Sequence, residues 1–245
     1  MYIMKTKEVL LILVLSLFGV GVVSAQTAPS VIRVNACSVN DGYSMSDVVE
    51  FARGMDRSSG VNPSGIFFRE AVVARSDFQN DWDFVLSVFY SDMASYVQHR
   101  GYMRGRESGR EGGLSVTDMI SCSPAPRVLF TNVANEGEIF TDSDTTVMVS
   151  QRCDLNGSSL TDAGALAAVR GQAVGAYTAI DFRVFGGPEI KENSSVNMRF
   201  VFPSGEEFGS SVDAVRNAGG LPQSDSEITC SNGSIWLSHR IFATN

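Results

Sequence analysis

Apolar and polar residues alternate along several short stretches of the chain, and each such stretch predicts a strand with one buried face. Between these stretches, apolar residues recur at helical spacing in two places in each half of the chain, which predicts four helices. The predicted strands span residues 31–37, 66–73, 82–90, 127–130, 145–153, 179–185, 196–202 and 235–242. The order strand-helix-strand-strand-helix-strand therefore occurs twice.

One stretch of sequence is used in both halves. Residues 37–47 run from a cysteine through an Asn/Gly turn to a Ser-x-x-Asp helix start, and residues 153–162 repeat this pattern one residue shorter. Ser-x-x-Asp ahead of an apolar run is typical of a helix cap, which we favour over a catalytic Ser/acid pair. The predicted capping residues are Ser44 with Asp47 and Ser159 with Asp162. The chain is therefore expected to contain one supersecondary unit twice.

A βαββαβ unit is typical of the ferredoxin-like split fold, in which the last strand lies beside the first. We expect the first repeat over 26–130, a linker over 131–144 and the second repeat over 145–245. Each repeat would leave one face of its sheet open, and packing the two sheets together would cover both faces. The expected fold class is therefore α+β, with eight strands in a barrel-like body and four helices outside.

In this order of elements, the chain resembles the dimeric α+β barrel group, which includes antibiotic-monooxygenase-like and stress-response domains. The resemblance covers the chain from residue 26 onward and implies a pseudo-dimeric barrel, with the two partners joined in one chain. It extends to the element order and to no motif of a particular member. No catalytic residue is transferred from the group.

The first 25 residues are typical of a secretory signal peptide. Lys5 and Lys7 precede a short apolar run that ends before Ala25. An uncleaved membrane anchor is the alternative, and it is disfavoured because about 20 apolar residues are needed to cross a bilayer. We therefore expect a periplasmic or secreted protein with no membrane attachment after cleavage. The formal charge of the full chain is -8 and becomes -9 without Lys5, Lys7 and Glu8. A charge of this sign without a basic cluster disfavours nucleic acid and anionic lipid as partners.

Four cysteines in an exported chain favour two disulfides. Three connectivities are possible, and the repeat favours one bridge within each copy. The predicted bridges are Cys37–Cys122 and Cys153–Cys230. A metal site is disfavoured because the chain has no Cys-x-x-Cys or His-x-x-x-His spacing, and neither a metal nor a cofactor is predicted.

His239 is the candidate catalytic residue. In the last predicted strand it shares a face with Ile235, Leu237 and Ile241, so it is expected to point into the apolar space between the sheets. A hydrogen-bonded core histidine is favoured, and a surface histidine or a pocket acid–base group are the alternatives. The other histidine, His99, is expected on the surface near a helix end.

Two apolar stripes are expected to form the inner faces of the two sheets. They consist of Phe84, Leu86, Val88 and Tyr90 in the first repeat and of Val196, Met198, Phe200 and Phe202 in the second. Stripes of this kind are more often core than ligand-binding surface. If a pocket lies between the sheets, Tyr90, Arg199 and Trp236 are its candidate walls.

Three functions remain open from the sequence. The first-ranked one is a non-catalytic exported domain pair that binds a small apolar or aromatic molecule or a protein partner. The alternative is a cofactor-independent enzyme of the α+β barrel type, an oxygenase or isomerase, which follows from fold analogy alone. A structural or assembly role is third.

Overall fold

The computed structural model describes residues 30–57, 62–74, 78, 81–108, 114–134, 143–185, 194–222 and 227–244. The strands are β1 Ser30–Val39, β2 Gly65–Val73, β3 Phe84–Tyr90, β4 Ile120–Cys122, β5 Arg127–Val133, β6 Thr145–Asp154, β7 Tyr177–Phe185, β8 Ser195–Phe202, β9 Thr229–Cys230 and β10 Ser234–Ala243. The helices are α1 Met45–Arg53, α2 Met93–Ser108, α3 Val116–Met119, α4 Leu160–Val174 and α5 Gly205–Asn217. The predicted signal peptide and most of the predicted linker lie outside the described residues.

Eight strands form a closed antiparallel barrel. Their order is β2-β3-β1-β5-β7-β8-β6-β10, and β10 pairs back onto β2. The first four strands come from one half of the chain and the last four from the other. Pairing of β5 with β7 and of β10 with β2 joins the halves at both edges. A closed barrel leaves none of its eight strands with a free edge.

The helix-covered face of the barrel holds most of the apolar core. The α1 side chains pack over Phe68 and Phe84, and those of α4 pack over Ile180 and Met198. Because successive residues of a strand point to opposite faces, the remaining strand residues face the barrel interior. Both predicted apolar stripes lie on the outer face, beneath the helices, so their expected position on the inner faces is wrong. The two-residue period identifies which residues share a face, but it does not say which face a helix covers.

Both predicted disulfides are present. Cys37 lies directly opposite Cys122 in the β1–β4 pair, and Cys153 lies opposite Cys230 in the β6–β9 pair. The bridged residues are 85 and 77 positions apart in sequence. Bridges that close loops of this length typically stabilise a folded domain by roughly 2–5 kcal/mol. Disulfides of this kind are typical of proteins outside the cytoplasm.

The predicted helix caps are confirmed. Ser44 and Ser159 each accept a hydrogen bond from the backbone N–H of the aspartate three residues later, and that aspartate accepts from the serine N–H. Each box satisfies two backbone donors that would otherwise lack a partner. The repeated stretch is therefore explained by local structure, and α4 ends at Gly175, whose φ of 64° is in the left-handed region.

Some element boundaries differ from those predicted. The strand predicted over 82–90 begins at Phe84. Helix α2 continues to Ser108 despite glycines in its sequence. The pattern also missed α3, β4 and β9, which have 4, 3 and 2 residues. Segments this short contain too few residues to show a period. Among the described residues, no helix combines the length and the apolar character needed to cross a membrane.

Replacing Ser159 with alanine removes the side-chain oxygen that caps α4. We expect the free energy of unfolding to fall by about 1 kcal/mol at pH 7, measured by urea denaturation without reductant. Ser158→Ala is the matched control, because the hydroxyl of Ser158 is next to Ser159 in sequence and takes no part in the cap. Equal losses for the two variants would contradict the assignment of the cap.

The contribution of this cap is expected to depend on pH. Hydrogen bonds from the N–H and the hydroxyl of Ser159 lower the pKa of Asp162. Because its pKa is lower in the folded than in the unfolded protein, the carboxylate stabilises the fold at neutral pH, and this stabilisation is lost as the pH falls through the folded pKa. The stability difference between wild type and Ser159→Ala should therefore narrow below about pH 4. Urea denaturation across that range is the measurement, and a constant difference would contradict the mechanism.

Candidate functional site

A buried ion pair lies inside the barrel. Arg199 on β8 donates from Nε to Asp181 Oδ2 at 2.6 Å and from Nη2 to Asp181 Oδ1 at 2.9 Å. The same Nη2 donates to Thr131 Oγ1 at 2.8 Å, the Thr131 hydroxyl donates to Asp181, and Asn197 adds a bond of 3.3 Å to Asp181 Oδ2. Arg199 and Asp181 are 2% and 3% exposed. The Asp181 carboxylate therefore accepts hydrogen bonds from side chains on two strands, β5 and β8.

Electrostatics keep Arg199 charged inside the barrel. Burial alone would lower its pKa, but the Asp181 carboxylate and its hydrogen bonds outweigh burial, and the pKa is raised. The same contacts occupy both oxygens of Asp181. These contacts indicate that Asp181 balances the charge of Arg199.

A second guanidinium, that of Arg69, is buried in the same interior. Arg69 on β2 is 7% exposed, and its Nε has no hydrogen-bond partner among the described residues. Its guanidinium carbon lies 5.6 Å from the centre of the Phe89 ring, and that of Arg199 lies 5.5 Å from the same ring. The interior thus holds two guanidinium groups and one carboxylate among its described buried side chains.

Trp236 occupies the interior next to an apolar cluster. It packs with Met148, Tyr177 and Val201, and its indole N–H donates to Ser150 Oγ at 2.8 Å. Burial raises the pKa of the Tyr177 phenol well above its usual range, and its hydroxyl has no partner among the described residues. Trp236 and Arg199, two of the predicted pocket walls, therefore both line the barrel interior.

His239 lies on the outer face of the barrel, so its expected position in the space between the sheets is wrong. It shares a face with Ile235, Leu237 and Ile241 as predicted, and that face packs against residues beneath the helices. Its Nε2 lies 3.2 Å from Glu70 Oε2, and its Nδ1 lies 3.5 Å from Thr145 Oγ1. The side chain of His239 is 16% exposed and that of Glu70 is 45% exposed. The three residues belong to adjacent strands, β2, β10 and β6.

Tyr90 also lies on the outer face, away from the interior that it was expected to line. Its hydroxyl is 3.0 Å from His99 Nδ1 of α2, and its ring packs edge-on against Tyr96. Burial raises the pKa of Tyr90 to about 12, so the phenol stays protonated. The direction of its hydrogen bond with His99 follows the tautomer of the imidazole. Burial, with smaller effects of nearby arginines, lowers the pKa of His99. His99 is half-buried rather than on the surface, and its Nδ1 is engaged by Tyr90.

The predicted site residues therefore do not form one site. Arg199 and Trp236 are inside the barrel, whereas His239 and Tyr90 are on its outer face at separate positions. The pattern missed Arg69 and Asp181, although a signal was present in the sequence. Each is one of two charged residues in a predicted strand otherwise rich in apolar residues, and a charged residue that is buried in such a strand is usually paired. No group of three or more metal-ligating side chains occurs among the described residues.

Comparisons with known proteins identify similarity in fold only. No family model and no curated protein match the chain. Similar solved structures include a candidate monooxygenase from Lactobacillus acidophilus (9% identity, 88% of this chain and 96% of the other, TM-score 0.48). An anthrone oxidase-like protein (9%, 89% and 96%, 0.47) and a mutant chlorite dismutase from Candidatus Nitrospira defluvii (9%, 86% and 92%, 0.47) are also similar. The chain resembles dimeric α+β barrel proteins, as its element order indicated.

These comparisons correct the first-ranked function. A non-catalytic binding domain was expected, but the similar structures bear the names of a monooxygenase, an oxidase-like protein and a chlorite dismutase. All three names point to enzymes, and the non-catalytic interpretation is withdrawn. At this similarity no residue role or substrate is transferred from them.

Replacing Asp181 with asparagine leaves Arg199 buried without its carboxylate. We expect the free energy of unfolding to fall by roughly 3–5 kcal/mol, as when one partner of a buried ion pair is removed. Urea denaturation at pH 7 measures this loss. Asp154→Asn is the control, because Asp154 forms an exposed pair with Arg152 at 3.7 Å and should contribute less than about 1 kcal/mol. A loss no larger than that of the control would show that the interior pair is not energetically coupled.

Proposed function

We propose that the chain is a cofactor-independent enzyme of the oxygenase or isomerase type, in which His239 removes a proton from the substrate. The observation that carries the proposal is the Glu70–His239–Thr145 arrangement on the outer face. It supplies an acid–base group with a fixed orientation and partial access to solvent.

The hydrogen bonds of His239 determine which of its nitrogens is basic. The Glu70 carboxylate can only accept, so the neutral imidazole donates its Nε2–H to Glu70. Nδ1 then carries the lone pair, and its one hydrogen-bond partner among the described residues is the Thr145 hydroxyl at 3.5 Å, the outer limit of a hydrogen bond. By contrast, Nδ1 of His99 is already engaged by Tyr90 at 3.0 Å. Of the two histidines, His239 is therefore the better candidate base.

Oxygenases without a cofactor and isomerases that work by proton transfer can share a first step. A base removes a proton from an acidic C–H or O–H group and leaves an enolate or phenolate. In an oxygenase this anion reacts with dioxygen, and in an isomerase it regains the proton at another carbon. Glu70 would stabilise the imidazolium that forms on His239, as a carboxylate does for a catalytic histidine.

The architectural predictions belong to the same proposal. The two halves, predicted as 26–130 and 145–245, would be copies of one ferredoxin-like βαββαβ unit. The strand orders β2-β3-β1-β5 and β7-β8-β6-β10 support this, because each places the second, third, first and fourth long strand of its half side by side. Because β5 continues to Val133, the linker predicted over 131–144 would begin after that residue. A signal peptide over 1–25 would export the chain to the periplasm or the medium, in agreement with its two disulfides.

A His239→Gln variant tests the catalytic role. The substrate panel consists of enolisable aromatic ketones, with oxygen uptake and exchange of the acidic hydrogen in D₂O as the two readouts. We expect wild type to promote one of these reactions and His239→Gln to lower kcat/KM by about 10²–10⁴-fold, the usual contribution of a general base. Glu70→Gln should lower kcat with a smaller effect on KM, since it orients the base.

His99→Gln is the matched control, because it removes the other histidine without touching Glu70 or Thr145. It should retain the wild-type rate. Full activity of His239→Gln, or an equal loss in His99→Gln, would remove His239 from the mechanism.

A further inference from the structure

The two halves of the barrel arrange their interior positions in matching registers. Cys37 lies opposite Phe84 in the β1–β3 pair, and Cys153 lies opposite Val196 in the β6–β8 pair. Two positions are counterparts when they lie the same number of residues from these pairs along corresponding strands. By this definition, each interior position of one half has a counterpart in the other. The correspondence is an observation of strand pairing and does not depend on His239, which lies on the opposite face.

The residues around the interior ion pair have definite counterparts. Asp181 lies opposite Asn197 and next to Thr131, and Arg69 lies opposite Val85 and next to Ser238 in the same way. The counterpart of Asp181 is therefore Arg69. The other counterparts are Ser238 for Thr131 and Ser87 for Arg199.

We call the group of Asp181, Arg199 and Thr131 one corner of the interior, and the counterpart group of Arg69, Ser87 and Ser238 the other corner. The two corners differ in charge. One contains a carboxylate held by a guanidinium and a hydroxyl, and both ionised groups have partners. The described residues of the other are a guanidinium and two serines, with no carboxylate among them. Ser87 is completely buried, and its hydroxyl, like Nε of Arg69, has no partner among the described residues. One corner thus contains a complete ion pair, whereas the other has donors without an anion.

Arg69 remains charged despite this environment. Burial, together with repulsion from Arg199, lowers its pKa to about 9. It is therefore still protonated at neutral pH. Attraction to Asp181 partly offsets the lowering of its pKa, but the hydrogen bonds of that carboxylate go to Arg199, so two guanidinium groups share one carboxylate. An unbalanced buried charge is unfavourable, and a bound anion would offset that cost.

We propose that this corner of the barrel interior is a binding site for a monoanionic carboxylate carried on an apolar molecule. A carboxylate matches the planar guanidinium with two parallel hydrogen bonds and leaves Ser87 as a further donor. A single negative charge balances the one unmatched guanidinium, whereas a phosphate dianion would leave an excess negative charge. The apolar body follows from the neighbours of Arg69, which are Phe67, Val85 and Phe89.

Placing a carboxylate in the protein itself tests the charge argument without a ligand. Ser87 and Arg69 are diagonal neighbours across the β2–β3 pair, within reach of a long side chain. Ser87→Asp and Ser87→Asn add nearly the same volume and differ in charge. We expect Ser87→Asp to have the higher urea midpoint at pH 7. Pairing with Arg69 lowers the folded pKa of the introduced carboxylate, so this advantage should disappear as the pH falls through that pKa.

Ligand titration tests the site directly. Benzoate, benzamide and phenyl phosphate share one aromatic ring and differ in charge, and their binding to the disulfide-bonded protein is measured by calorimetry and thermal unfolding. We expect benzoate to bind and raise the Tm, and benzamide and phenyl phosphate to bind more weakly. Arg69→Met and Ser87→Asp should weaken benzoate binding at least tenfold. Arg127→Gln, which removes an exposed arginine, should leave it unchanged.

The Tm of the Arg69→Met variant without ligand shows whether a loss of binding comes from a loss of folding. Because the substitution replaces an unmatched buried charge with an apolar side chain, this Tm should equal or exceed that of wild type without ligand. Benzoate binding that persists in Arg69→Met, tighter binding of phenyl phosphate, or no benzoate binding by wild type at millimolar concentration would each overturn the proposal. So would a lower urea midpoint for Ser87→Asp than for Ser87→Asn at pH 7.

Discussion

Hydrogen bonding between the two halves at both edges is the constraint on which the rest of the structure depends. The β5–β7 and β10–β2 pairs turn two four-stranded groups into one closed surface with an inside and an outside. Closure removes alternate residues of all eight strands from water, including two arginines and an aspartate. In an open sheet the same side chains would be solvated, and neither the ion pair nor the unmatched guanidinium would have energetic significance.

Much of the fold could be read from local patterns. Eight strand predictions and four helix predictions correspond to observed elements because each has a clear period, and the cysteine pairing follows from the position of each cysteine in its repeat. Ser44 and Ser159 were recognised as caps because the capping box is a local device of four residues. These features depend on neighbours in sequence, which is why one chain suffices to predict them.

The candidate sites were harder to predict because they depend on which face of each strand a helix covers. The period groups His239 with Ile235 and Leu237 correctly, yet the side on which the group lies is decided by the path of the helix connections. One further observation was available in the sequence. In the third strand of each half, Tyr90 belongs to the apolar stripe whereas Arg199 lies between stripe residues. They therefore could not both face one pocket if the halves are alike.

Opposite charges at the corresponding positions 69 and 181 have a consequence for symmetry. If two identical chains formed such a barrel around a two-fold axis, both positions would carry the same residue, either two arginines or two aspartates. An interior with like charges facing each other would be destabilised by their repulsion. A single chain is free of this restriction, because each half can change by itself. Because the two halves are one chain, the two corners of the interior can carry different charges. Covalent connection also makes barrel closure independent of protein concentration.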